Sequence, residues 1–315
     1  MSEPRIVSLI ASATEIVCAL GFGDRLVGRS HECDYPEAVK DLPQCTRAKF
    51  RTDGTSYEID QRVRAIVQEG LSVYRVDASM LERLRPTLII TQDQCQVCAV
   101  SINDVEEAVC ELTGSRSQIV SLKPNCLSDI WDDIRRVAEA LSAPERAQAL
   151  VSQLRARMDQ IAERARQCRR RPSVAAIEWI DPLMAGGNWM PELISMAGGT
   201  SLFGQAGKHS PAMSWDDLVK HDPDMIFVVP CGFDMERTLE DMKFLTANPH
   251  WDELKAVRLL NVFIADGNQY FNRPGPRVVE SLEILAEVIH PEEFRFGHQG
   301  RGWLRFDAPV PAPPA

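Results

Sequence analysis

Five of the nine cysteines stand just after apolar runs that predict β-strands. Thiols are nucleophiles, redox groups and soft metal ligands, so their placement decides which chemistry to expect. In an open parallel sheet, ligands bind beyond the carboxyl ends of the strands, and these ends meet at one edge. The sequence therefore predicts that the five thiols line one cleft. They are Cys33, Cys95, Cys98, Cys126 and Cys231.

Cys95 and Cys98 form a CxxC pair, which would supply two of the four ligands that a structural zinc requires. Further ligands for a zinc or iron–sulfur site are expected at the same edge: Cys33, Cys126, His31 and His209. Three other interpretations of the cysteines stay open. They are a thioredoxin-like redox motif, direct thiol or imidazole ligation of a metal carried by a ligand, and simple apolar lining of a pocket.

The composition is that of a folded, acidic protein. Of 315 residues, 44% are hydrophobic and 25% charged, and the net charge is −10. This charge argues against a sequence-independent nucleic-acid binder, which needs a basic surface. No stretch approaches the ~20 apolar residues of a membrane-spanning helix. Ile6–Leu20 has no basic segment before it, and the cysteine count is odd. We therefore expect a cytoplasmic protein, or a periplasmic one if a leader has been removed.

The elements that must position these residues alternate between strand and helix. The alternation covers residues 1–127 and begins again over 173–290, which predicts two α/β lobes with parallel sheets. Between them, residues 128–172 are helical, and apolar residues from Ala147 to Ala165 keep a spacing of three to four. This spacing predicts one long helix that joins the lobes. We expect residues 291–315, which end in a Pro-rich run, to be a loosely ordered tail.

Several segments in this order resemble the solute-binding proteins of cobalamin and iron-siderophore ABC importers, the class with a rigid helix between two lobes. The first lobe carries IASATEIVCALGFGDRLVG from Ile10 and CDYPEAV from Cys33. The second carries WIDPLMAGGNWMPELISMAGGTSLF, SWDDLVKHDPDMIFVV and YFNRPGPRVVESLEIL. The resemblance covers roughly residues 5–290 and is strongest to the cobalamin-binding members.

The resemblance implies a large flat corrinoid gripped between the lobes and an ABC permease as partner. An aromatic or thioether face would lie against the corrin ring, and Arg273 would donate to its amide carbonyls. The ligand-binding residues expected on this basis are Tyr35, Gln92, Met184, His209, Tyr270, Phe271 and Arg273.

The chain departs from the family pattern at several places. Gln269 and Tyr270 replace an acidic residue and a tryptophan, and a histidine, His209, stands beside the position of a missing aromatic. The segment 56–81 and the sequence TQDQCQVCAVS also lie outside the importer pattern.

No pattern typical of an enzyme is present. Asp216 and Asp217 follow Ser214 at a predicted helix start, where they cap the helix, and no phosphate-binding glycine loop or serine elbow occurs. We therefore expect a non-enzymatic protein that binds a cobalamin-like corrinoid or a similar metal-bearing macrocycle. The alternatives are a cytoplasmic metal or redox protein built on clustered cysteines, and an iron-chelate or haem binder.

Overall fold

The computed structural model of the chain describes residues 3–68, 73–92 and 117–307. The chain divides into two compact units. Unit 1 comprises residues 1–54, 58–155 and 274–276, and unit 2 comprises residues 55–57, 156–273 and 277 onward. The helix Pro144–Arg166 contributes residues to both units. Its 23 residues make it about 34 Å long. The predicted domain boundaries at residues 127, 172 and 290 stay predictions.

Unit 1 is built on a parallel sheet of four strands in the order β2-β1-β5-β6. All five residues of β5 are buried, as is typical of a parallel strand covered on both faces. The strands of the unit are β1 (Ile6–Ser8), β2 (Leu26–Arg29), β3 (Thr46–Ala48), β4 (Tyr74–Val76), β5 (Leu88–Gln92) and β6 (Gln118–Leu122). Its helices are Ala11–Ala19, Ser56–Gln68, Ala78–Leu84 and Leu127–Ala140.

Two local features of unit 1 could not be read from its strand–helix alternation. The first helix begins at Ala11, and its N-cap is Ile10, which makes no side-chain cap. β4 does not join the parallel sheet. It pairs antiparallel with β3 instead, as a separate two-stranded ribbon.

Unit 2 contains a six-stranded sheet in which β7, β10 and β11 are parallel. Two short strands pair with β7, one antiparallel and one parallel. The strands are β7 (Ser173–Trp179), β8 (Met184–Ala185), β9 (Thr200–Ser201), β10 (Met225–Val228), β11 (Val262–Ala265) and β12 (Trp303–Arg305). The helices are Met190–Met196, Trp215–His221, Met235–Thr246, Lys255–Arg258 and Val278–Ile289. The prediction of two α/β lobes with parallel sheets, joined by a long helix, is confirmed.

The expectation of a loosely ordered tail is wrong for residues 291–307. β12 pairs antiparallel with β11. Glu287, on the last helix, accepts hydrogen bonds from Gly297 N at 2.6 Å and from Trp303 Nε1 at 2.7 Å. These bonds give the segment fixed buried partners, which its polar sequence does not reveal.

Candidate functional site

The carboxyl ends of β1 and β2 carry a network of small polar side chains in unit 1. Thr14 Oγ1 lies 2.8 Å from Ser8 Oγ and 3.0 Å from Cys33 Sγ. Cys33 is only 1% exposed. Its thiol is therefore a buried member of the loop, held by a hydroxyl, rather than a group that faces solvent.

His31 follows β2 by two residues and is half-buried. Its Nδ1 lies 2.8 Å from Thr46 Oγ1, and its ring meets the ring of Tyr74 edge-on at 5.1 Å. The Tyr74 hydroxyl donates to Glu32 Oε1 at 2.7 Å. Burial lowers the pKa of His31 below the usual value of 6.5, and Glu32 opposes this shift. The imidazole is therefore neutral near pH 7 and fixed in orientation.

Tyr35 and Gln92 occupy very different surroundings in unit 1. Tyr35 is 44% exposed and precedes Pro36 through a cis peptide bond. Gln92 is the last residue of β5, pairs in register with Leu122 and is 3% exposed. Tyr35 is therefore the more exposed of the two residues, whereas the Gln92 side chain is covered.

The described cysteines do not gather into one cluster. Cys33 is buried in unit 1, and Cys231 belongs to unit 2. Cys126 precedes the helix Leu127–Ala140, where its backbone N–H donates to Asp129 Oδ2 at 3.2 Å. Over residues 3–68, 73–92 and 117–307, no three His, Cys, Asp or Glu side chains are placed to hold a metal ion. Cys95 and Cys98 lie outside the described residues, so their part in a metal site stays a prediction.

Two further cysteines are poor thiolates. Burial, reinforced by Glu15, raises the pKa of Cys18 to about 11. Burial also raises the pKa of Cys45 to about 12. Metal binding and redox chemistry both need the thiolate, so these two side chains serve as small apolar groups at neutral pH.

In unit 2, the half-buried side chain of Glu178 lies near the carboxyl end of β7. Glu178 Oε1 accepts from Ser210 Oγ at 2.8 Å, and burial raises the pKa of Glu178. His209 is exposed, with its Nδ1 3.0 Å from the carbonyl oxygen of Ser210. Met184 begins β8, is half-buried and pairs opposite Trp179. A carboxyl, a thioether and an indole therefore lie around the end of one strand.

The aromatic pair formed by Trp179 and Phe233 was not among the residues predicted from the sequence. Their ring centroids are 5.3 Å apart at a tilt of 54°. Trp179 ends β7 and is half-buried, while the guanidinium of Arg237 lies 4.5 Å from the centroid of the Phe233 ring. The sequence does point to Trp179, because a tryptophan at the end of an apolar strand run stands where ligands bind. The Phe233 contact could not be read from the sequence.

The loop after β11 holds the remaining predicted residues. Asp266 accepts from Gln269 N at 2.8 Å and starts the turn Gly267–Phe271, and burial raises the pKa of Asp266. Tyr270 is half-buried, with the guanidinium of Arg277 4.6 Å from its ring centroid. Tyr270 therefore keeps part of its ring surface accessible.

Phe271 and Arg273 are largely covered. Phe271 is 2% exposed, and its ring meets Phe227 at 5.1 Å. Arg273 is 4% exposed, and its Nη2 donates to Asn268 Oδ1 at 3.2 Å. The Phe271 ring is thus accounted for by core packing. The role of Arg273 at a ligand stays a prediction.

Comparison with known proteins decides the family. The sequence profile described as "Periplasmic binding protein" matches residues 6–268. The chain belongs to the periplasmic binding protein family. Members of this family are solute-binding proteins rather than enzymes, and those of ABC importers bind a small ligand and interact with a permease.

Curated relatives of this periplasmic binding protein span nearly the whole chain. An uncharacterized ABC transporter substrate-binding lipoprotein of Bacillus subtilis, YvrC, is 24% identical over 301 residues, 93% of this chain and 82% of the relative. The vitamin B12-binding protein of Photorhabdus laumondii is 21% identical over 287 residues, 91% of this chain and 88% of the relative.

Solved structures share the fold. The haem-binding protein RhuT of Roseiflexus sp. RS-1 superposes with a TM-score of 0.68 at 24% identity, covering 92% of this chain and 99% of that one. The vitamin B12-binding protein BtuF of Vibrio cholerae superposes with a TM-score of 0.63 at 21% identity, covering 91% of this chain and 96% of that one. The fold is therefore one that carries both kinds of macrocycle in other proteins.

The expected cytoplasmic location finds no support in these relatives, since they are periplasmic proteins and a lipoprotein. In the ranges that the structure describes, each helix is too short or too polar to cross a membrane.

Proposed function

We propose that this protein binds a metal-bearing macrocycle, a cobalamin-like corrinoid first of all, without transforming it. The observation that carries the proposal is the family match over residues 6–268, with curated relatives named as vitamin B12-binding proteins. Haem is the second candidate, because several structures of the same fold are haem-binding proteins.

The side chains at the strand ends suit a flat macrocycle. Tyr35 in unit 1 and Trp179 and Tyr270 in unit 2 keep accessible aromatic surface, and Met184 adds a thioether. Aromatic faces and a thioether give contact area to a planar, polarizable ring at low cost in conformational entropy. We infer that each of these side chains gives its own unit a surface suited to such a ring.

The charge at the same strand ends favours a corrinoid over haem. The polar groups near the ends of β7 and β11 include the carboxyls of Glu178 and Asp266. The amide groups around a corrin are neutral and can donate to such oxygens, whereas the carboxylates of haem carry no proton to donate to them. The net charge of −10 acts in the same direction.

The protein would deliver its ligand to the permease of an ABC importer. Its Bacillus subtilis relative is named as the substrate-binding lipoprotein of such a transporter, which supports this role. Capture would then take place outside the cytoplasm. Secretion of the full natural chain, measured by cell fractionation, tests this part of the proposal independently of the ligand.

Absorbance titration of the purified protein tests the ligand class. We expect hydroxocobalamin or cobinamide to bind near one equivalent with a shift of the visible bands. Haemin binding without corrinoid binding would move the assignment to the second candidate. No spectral change and no heat with any of the three compounds would overturn the proposal.

A further inference from the structure

His31 differs from the other five histidines in its position and its contacts. It is half-buried and follows a strand of the parallel sheet in unit 1 by two residues. By contrast, His298 Nε2 lies 2.9 Å from Glu283 Oε2, and the exposed His250 pairs with Glu253. An imidazole fixed at a strand end stands where ligands of such sheets bind.

The hydrogen bonds around His31 fix its tautomer. Thr46 Oγ1 donates its single proton to Ser30 Oγ at 3.0 Å. The same oxygen accepts from the His31 backbone N–H at 3.1 Å, so the ring contact at 2.8 Å needs a proton on Nδ1. The lone pair of the neutral ring is then on Nε2, which has no hydrogen-bond partner in the part of the chain that the structure describes.

The ring is also held in place before any ligand arrives. Tyr74 packs edge-on against it, at an interplanar angle of 62°, and Tyr74 is itself anchored to Glu32 Oε1. A hydrogen bond on one ring nitrogen orients the other nitrogen, as the partners of metal-bound histidines do. The nearby thiol of Cys33 does not compete, because it is buried and hydrogen-bonded to Thr14.

We propose that His31 Nε2 is an axial ligand to the metal of the bound macrocycle. This inference rests on the proposed function and deepens it. Imidazole is a suitable ligand both for the cobalt of a corrinoid and for the iron of haem, so the shared chemistry is a metal with one exchangeable axial position. Thr46 acts as the positioning residue, through Nδ1.

The test uses three probes with wild type and His31→Gln. Aquocobalamin has an exchangeable water above the ring, whereas cyanide blocks that position in cyanocobalamin. We expect aquocobalamin to shift to an imidazole-ligated spectrum with wild type only, and its affinity to fall at least about tenfold in His31→Gln. Cyanocobalamin should bind both proteins equally, which also reports correct folding. Haemin, if bound, should give the spectrum of a histidine-ligated haem with wild type, and this ligation signature should be lost in the variant.

Two further variants sharpen the result. Thr46→Val should weaken aquocobalamin about tenfold and leave the shift present at saturation, because His31 stays while the hydroxyl that orients its ring and bonds its backbone N–H and Ser30 is lost. His250→Gln, at an exposed site, should behave as wild type. If the aquocobalamin and haemin spectra are the same in His31→Gln as in wild type, the axial role is wrong and the proposed function stands. If none of the three probes binds wild type, the proposed function itself fails.

Discussion

At the scale of single residues, exposure separates the aromatic groups that can meet a ligand from those that build the core. Tyr35 is 44% exposed, whereas Phe271 is 2% exposed and packed on Phe227. The sequence predicted both as binding residues because both lie in segments that resemble the cobalamin binders. It could not rank them, since burial depends on the packing of distant strands.

Replacing Tyr35 by alanine should weaken hydroxocobalamin binding about tenfold, because an aromatic face against the macrocycle is lost. The measurement is the dissociation constant from absorbance titration. Leu259→Ala is the matched control. Leu259 is 55% exposed and precedes β11, at the amino end of that strand, so its affinity should equal that of wild type. Equal affinities for Tyr35→Ala and Leu259→Ala would remove Tyr35 from the site.

At the scale of elements, sequence patterns predicted the alternation of strands and helices but not all of their partners. The helix start predicted after Ser214 is present, and Ser214 caps that helix by accepting from Asp217 N at 3.1 Å. The helix Met235–Thr246 was missed, although Asp234 gives it a capping signal through Arg237 N. Antiparallel β12 was also missed, because a three-residue strand is too short to show a period.

The polar anchor of the C-terminal segment gives a stability prediction. Glu287→Ala should lower the free energy of unfolding by about 3 kcal/mol, because the Trp303 indole and the backbone N–H groups of Phe296 and Gly297 lose a buried acceptor. Urea unfolding followed by circular dichroism measures the change. The control is Glu292→Ala, at an exposed position of the same segment. This substitution should change the free energy of unfolding by less than about 0.5 kcal/mol. Equal effects of the two substitutions would contradict this account of the segment.

The helix Leu127–Ala140 contains a carboxyl with a measurable pH signature. Burial raises the pKa of Asp133 from 3.8 to about 6, although Lys123 N donates to its oxygens at 3.0 and 3.2 Å. A folded-state pKa above the unfolded value favours the folded state at low pH. The contribution of Asp133 to the free energy of unfolding is therefore complete below about pH 4 and is lost as the pH rises through 6.

Asp133→Asn cannot ionise, so the variant should gain stability relative to wild type between pH 4 and pH 7. The gain should reach at most about 3 kcal/mol, since one pKa unit corresponds to 1.36 kcal/mol. Urea unfolding at both pH values gives the difference. The neighbouring, exposed Asp132, paired with Arg135 at 2.6 Å, offers the control substitution Asp132→Asn. A pH dependence shared by both variants would mean that burial of Asp133 is not its cause.

At the scale of the whole molecule, the order of elements and motifs was enough to predict two α/β units and the family. The repeated strand–helix alternation is a property of the chain itself, and the family match over residues 6–268 agrees with it. The prediction of a cysteine cluster, by contrast, is not supported by the described residues. Cys33 and Cys126 both lie in unit 1, but local packing buries Cys33, and Cys95 and Cys98 lie outside the described residues.

Native mass spectrometry of the purified protein, mixed with equimolar hydroxocobalamin, haemin and a ferric siderophore, tests the central claim most directly. We predict one bound macrocycle per chain, with the cobalamin complex more abundant than the haem complex. Abundant siderophore complex in the absence of either macrocycle complex, or unliganded protein alone, would contradict it.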